Sequence, residues 1–258
     1  MKVSVVIPCF NQRDTIAQTV LAVRKAPFPE TEIILVDDGS NDGTRTVLKC
    51  EVEAIADRVI YHGLNQGKGA TLRDGFAAAT GDIILVQDAA LECRPAEYSR
   101  LLEPILSDKA DAVFASRFMD GRSRRVINFW QTIGTKLLTL LSNMCANMNL
   151  TDMGAGYKAF RGSIIRNIQL REERFGVEPE ITAKLARARC RIYEVGICAD
   201  SRNSEESVAM RWRDAVRAFY AVLKYNFFDP GRSLFLIKKK SATDDASSLA
   251  LPATLKHL

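Results

Sequence analysis

Five short apolar runs with helix-like segments between them constrain the fold more than any other feature. Residues 3–7, 32–36, 58–61, 82–87 and 112–115 are mostly apolar, each with Val, Ile or Leu, and read as buried strands. Between them, residues 15–24 carry Ile16, Val20, Leu21 and Val23 at helical spacing, the turn 37–43 leads into a helix through Val47, and a glycine-rich turn, 63–69, leads into a helix over 70–79. Apolar strands alternating with helices imply an α/β chain with a mostly parallel sheet sandwiched by helices. Such sheets bind ligands at the carboxyl ends of their strands. The polar clusters fall at those ends: Asn11 after the first strand, Asp37 and Asp38 after the second, Asp88 after the fourth and Arg117 after the fifth. The pattern predicts that they share one edge of the sheet.

The second half reads as more helical, with long helices over 130–148 and 212–225 and a strand over 191–195. A length of 258 residues suits one large domain over 1–228 and a tail over 229–258. The tail carries Lys238, Lys239 and Lys240 ahead of a polar stretch, a composition that predicts a loose segment. The net charge of +5 is too modest to single out a partner, and nothing points to nucleic acid or to a particular oligomer. Two histidines and six cysteines without a CxxC pair exclude the usual zinc sites and a Ser-His-Asp hydrolase. The cysteine pattern and the absence of a leader-like start predict a cytoplasmic protein. No run reaches the roughly 18 apolar residues of a membrane span. The nearest, 126–150, is interrupted by Asn128, Gln131, Lys136, Ser142, Asn143 and Asn147. It predicts an amphipathic or buried helix, which leaves room for peripheral contact with a membrane surface.

Several segments carry chemistry. The turn Asp37-Asp-Gly-Ser-Asn-Asp-Gly43 offers carboxylates to a base or ribose, and would equally serve as a plain, well-capped turn. Asn65-Gln-Gly-Lys-Gly69 is no Walker loop, because Gly63 is one residue too close and no Ser or Thr follows Lys68. Its glycines would still let backbone approach an anion at a helix start, with Lys68 adding charge. Asp88 ends an apolar strand and Glu92 lies four residues on. Two carboxylates there suit Mg²⁺ or Mn²⁺ holding a diphosphate, whereas Asp88 alone would serve as a cap. Arg117 and the basic run Arg122-Ser-Arg-Arg125 suit phosphate oxygens, or a solvated surface.

Taken in order, these motifs resemble family 2 glycosyltransferases of the GT-A (Rossmann-like) fold. Residues 5–11, 36–44, 65–69, 87–92 and 115–118 carry that resemblance. Residues 151–161, 174–180 and 212–214 are similar to the dolichyl-phosphate mannosyltransferase and polyprenyl-phosphate glycosyltransferase branch. The resemblance implies an inverting transferase that moves one sugar from a nucleotide-sugar, of the GDP-mannose or UDP-glucose type, to a polyprenyl phosphate. Pro8, Asn11, Asp37, Asp38, Lys68, Asp88 and Ala89 would then line the nucleotide pocket, and Asp88 and Glu92 would hold the metal. Asp88, Arg117 and Arg202 would carry the reaction, and Glu178 would sit on the acceptor side. Two departures weigh against it. The second aspartate of the family's Asp-x-Asp motif is Ala90, and 207–209 reads Ser-Val-Ala where relatives carry lysines. They leave open a nucleotide-sugar-binding pseudoenzyme of the same fold.

Overall fold

The computed structural model describes residues 1–26, 30–89, 95–119, 129–197 and 212–229. Strands β1 (Val3–Cys9), β2 (Thr31–Asp37), β3 (Arg58–Tyr61), β4 (Ile83–Val86), β5 (Ala112–Ser116), β6 (Lys158–Arg161) and β7 (Ile192–Gly196) form one seven-stranded sheet in the order β3-β2-β1-β4-β6-β5-β7. The first four strands run parallel, and β6 lies antiparallel to both β4 and β5. β5 therefore runs with β4, and β7 runs with β5. The carboxyl ends of β1, β2, β4 and β5 thus face one edge, as the sequence predicts.

The five runs lack polar alternation because the sheet is covered on both sides. On β1, Val3, Val5, Ile7 and Cys9 enter one core and Val6 the other; on β4, Ile83 and Leu85 part in the same way from Ile84 and Val86. Helix α1 (Ile16–Arg24), the short α2 (Thr44–Val47) with the wide turn after it, and α4 (Tyr98–Leu106) cover the first face. Helices α3 (Lys68–Ala78), α6 (Gly162–Ile165) and α7 (Val177–Arg187) cover the second. Helix α5 (Phe129–Ala146) packs on α7 and on α8 (Trp212–Leu223), which also packs on α7.

Several features depart from the sequence reading. β1 runs past the apolar run 3–7, through Pro8 to Cys9. Odd positions of β1 address β2 and even ones address β4, as the bonds of the Val3 amide to the Glu30 carbonyl and of the Gln87 amide to the Val6 carbonyl show. The missing N–H of Pro8 therefore points to the β4 side, just beyond the last pair, Val6 with Val86. Strand β6 and helices α4 and α7 were not anticipated. Tyr98, Leu101, Leu102 and Ile105 have clean helical spacing, but Pro104 interrupts it. The tail from residue 230 lies outside the described residues.

Candidate active site

The edge is first stitched together by backbone and loop. Asn11 adopts a left-handed conformation, φ 51°, which asparagine tolerates better than most residues. Its N–H donates to the Ser40 hydroxyl at 2.9 Å, and its side-chain oxygen accepts the Asn41 N–H at 3.0 Å. Pro8, two positions after the last β1–β4 pair, is half-buried at the strand end. Burial, reinforced by the charges of Asp37 and Asp42, pushes the Cys9 thiol up, so it is no nucleophile.

Asp37 and Asp38 are both buried and both turned into the scaffold. Arg45 donates through Nε to Asp37 at 2.7 Å and through a second nitrogen to the His62 carbonyl. Asp38 accepts the Gln66 and Gly67 N–H groups at 2.8 and 2.7 Å, and its other neighbour is His62 Nδ1 at 2.9 Å. His62, set aside in the sequence reading, thus joins Asp38 to Asp74, which lies 2.9 Å from its Nε2. The glycine-rich turn also differs from its expected use. The N–H groups of Gly69 and Ala70, at the start of α3, donate to the Glu173 carbonyl at 2.7 and 3.2 Å. A Cβ at Gly69 would stand 2.0 Å from the Glu172 carbonyl oxygen, and one at Gly67 2.4 Å from that of Glu173. These glycines admit the chain's own backbone, so the helix start is filled by a carbonyl where an anion was expected. The Lys68 side chain remains to meet one.

A chain of alternating charges begins where β4 ends. Lys68 Nζ lies 3.3 Å from Asp88 Oδ1 and 3.0 Å from Glu178 Oε1. Glu178 is also bonded by Lys158, whose ammonium donates to the carbonyls of Met153 and Ala155 at 3.0 and 2.8 Å. Lys158 opens the reversed strand β6 and pairs with Val86 and Phe114. The reversal is what brings a lysine to the carboxyl edge. Burial works against the charge on Lys68, but Asp88 and Glu178 outweigh it and hold the ammonium above the usual lysine range. Burial and the nearby Lys68 lower Lys158 despite the pull of Glu178. Burial opposes ionisation of Glu178 too, yet Lys158 and then Lys68 keep it below the usual carboxylate range. Asp88 itself is wedged: a Cβ at Gly156 would fall 1.6 Å from Asp88 Oδ2. Gln87, bonded by both Tyr98 and Tyr157, donates to the Asp88 carbonyl at 2.9 Å. The Ala89 carbonyl accepts the Thr19 and Thr15 hydroxyls at 2.8 and 3.3 Å, which pins the turn to α1.

Arg117 follows β5 and is gripped by Asp152. Nε and Nη2 reach the two carboxylate oxygens at 2.7 and 2.9 Å, and the Arg117 N–H adds a third bond at 3.2 Å. Asp152 is buried, and Glu194 on β7 accepts its N–H and that of Thr151 at 2.9 Å. Asp152 and Lys158 both lie in the motif 151–161, but nothing in spacing alone told their roles. Glu92, Arg202, the basic run 122–125 and residue 90 lie outside the described residues.

A divalent ion needs several oxygen ligands. Among the described residues no three acidic, histidine or cysteine side chains converge on one point. Asp88 brings a single carboxylate, with one oxygen facing Lys68 and the other the backbone of Gly156. The described donor set does not fit a divalent ion.

Comparison with known proteins agrees with this architecture. A sequence model of the family "Glycosyl transferase family 2" matches residues 4–168. The chain is similar to an undecaprenyl-phosphate mannosyltransferase of Micrococcus luteus, 30% identical over 220 residues that cover 80% of this chain and 87% of the relative. It is 32% identical over 171 residues to a polyprenol monophosphomannose synthase of Mycolicibacterium smegmatis, covering 64% of each chain. Among solved structures it resembles glucosyl-3-phosphoglycerate synthase from Mycobacterium tuberculosis, solved with Mn²⁺, UDP and glucosyl-3-phosphoglycerate, with a TM-score of 0.65, 21% identity and coverage of 87% of this chain and 79% of that one. The fold is of the GT-A type. The protein is thus a member of glycosyl transferase family 2.

Proposed function

We propose that the chain moves one sugar from a nucleotide-sugar, of the GDP-mannose or UDP-glucose type, to a polyprenyl phosphate, with inversion at the anomeric carbon. Relatives named as polyprenyl-phosphate mannosyltransferases support the acceptor class. The observation that carries the reading is the orientation of α5. On its protein side Thr139 and Ser142 are buried and Leu138 packs on the second core. Its outward side carries Phe129, Ile133, Leu137, Leu140 and Met144, with Trp130 80% exposed, and Lys136 among them. A helix that faces water would carry mostly polar residues on that outward side. Residues 126–150 contain no acid, and Arg122, Arg124 and Arg125 precede them. An apolar, aromatic face with basic flanks suits a lipid surface. No described helix is long and apolar enough to cross a membrane, so the contact would be peripheral, on the cytosolic face. It would lie where a lipid-borne phosphate is presented.

The chemistry asks little of a base. A phosphate monoester is mostly dianionic near neutral pH, since its second pKa is about 6, and can attack the anomeric carbon directly. Glu178, ionised and held between two lysines, is poorly placed to take a proton. The leaving nucleoside diphosphate needs positive charge fixed in advance. Lys68 and Arg117 would supply it, with Asp152 orienting the Arg117 fork. Arg202 would add a further phosphate contact from a segment outside the described residues.

The test is release of nucleoside diphosphate from GDP-mannose, UDP-glucose and UDP-N-acetylglucosamine, each with and without polyprenyl phosphate. Release from one donor that depends on the lipid supports the reading. Release from none, with Ala90→Asp equally silent, would favour a binding protein without turnover.

A further inference from the structure

We propose that the ammonium of Lys68, fixed between Asp88 and Glu178, is the cation that meets the donor diphosphate at the end of β4, so that donor binding needs no divalent ion. The proposal rests on the donor being a nucleoside-diphosphate sugar, as read above.

Four observations converge on it. The first is charge. A pair of aspartates with a divalent ion sums to zero, and so does Asp88 with Lys68. Alanine at position 90 removes one carboxylate, and the lysine already balances the other at 3.3 Å. The second is room. Lys68 faces one oxygen of Asp88 and the backbone of Gly156 crowds the other, so a metal would have to displace a protein contact to bind there. The third is fixity. Lys68 leans on Glu178 at 3.0 Å, Glu178 on Lys158, and Lys158 on two backbone carbonyls. The ammonium therefore sits in a prepared position, as a group that stabilises developing charge should. The fourth is capacity. An ammonium has three N–H donors; Asp88 and Glu178 use two. The Lys68 side chain keeps 23% exposure, and we assign its third donor to the ligand. The helix start beside it cannot take the same role, because Glu173 fills it. Glu178 and Lys158 act through Lys68 and are positioning residues.

The experiment is calorimetric titration of UDP and of GDP into the full-length protein, first in excess EDTA and then with Mn²⁺. One of the two should bind in EDTA, with a Kd that changes less than about threefold when Mn²⁺ is added. Lys68→Met should weaken binding in EDTA by roughly tenfold or more, the range lost with one charge-assisted hydrogen bond, and Lys68→Arg should recover part of it. Ala90→Asp should create the missing dependence, binding more weakly in EDTA and regaining affinity with Mn²⁺. Thermal unfolding shows whether Lys68→Met remains folded; if it does not, the wild-type titration and Ala90→Asp decide alone. Binding only in Mn²⁺, or Lys68→Met binding like wild type in EDTA, would overturn the proposal and leave the transferase reading standing. Binding of neither nucleotide under either condition would overturn that reading, and this proposal with it.

Discussion

Asp152 determines what Arg117 can do. A bidentate pair fixes the plane of the guanidinium as well as its position, and a third bond ties the carboxylate to the Arg117 backbone. Asp152→Asn keeps the shape but loses the charge and one acceptor oxygen. We predict a fall in kcat/KM of about 10- to 100-fold with the fold intact, read from steady-state kinetics and thermal unfolding. Unchanged kinetics would detach Arg117 from the reaction. The sequence showed Arg117 as a candidate because an arginine after a strand end suits phosphate, but not its partner, which is 35 positions away. Asp37 and Asp38 illustrate the converse. Their place after β2 was legible and their engagement was not, since Arg45 and the amides of Gln66 and Gly67 reach them only once the chain is folded. A glycine carries the same lesson. Gly69→Ala puts a methyl 2.0 Å from a backbone oxygen, and we predict a loss of about 1–3 kcal/mol in chemical denaturation.

At the scale of elements, β1, β2, β4 and β5 were legible because each holds a short apolar run. β6 was not, because its four residues Lys158–Arg161 begin and end in charge and carry no strand-like periodicity. Its lysine is buried only because Glu178 and two carbonyls satisfy it. Helix α5 was legible as a helix, while its orientation was not: a sequence shows two faces but not which one meets the protein. With the apolar face outward, Leu137→Glu together with Leu140→Glu should leave the fold stable and lower co-sedimentation with anionic phospholipid vesicles by about tenfold or more. A rise in solubility with vesicle binding unchanged, and loss of a dimer by light scattering, would assign the face to a second copy of the chain.

The whole molecule separates its functions by sheet edge. The carboxyl edge carries Lys68, Asp88, Arg117 and Glu178, and the opposite end is held by carboxylates of structural use. Glu32 accepts from Ser4, Lys2 and Thr80 beside the start of β1. Burial would raise its pKa, but hydrogen bonds from Ser4, Thr80 and Lys2 pull it to about 2. A carboxylate depressed on folding stabilises the native state above its unfolded value of 4.5. That contribution is lost as pH falls from there through about 2. Discounted for partial exposure, it is about 1–2 kcal/mol. Glu32→Gln should flatten the stability curve over that window, and a curve that keeps its slope would assign the acid sensitivity elsewhere. Extracted lipid from a reaction of the full chain with its donor and polyprenyl phosphate should gain the mass of one hexose. Its anomeric ¹H–¹³C coupling should report the configuration opposite to that of the donor. Free sugar with unchanged lipid mass, or a lipid product of retained configuration, would contradict the account.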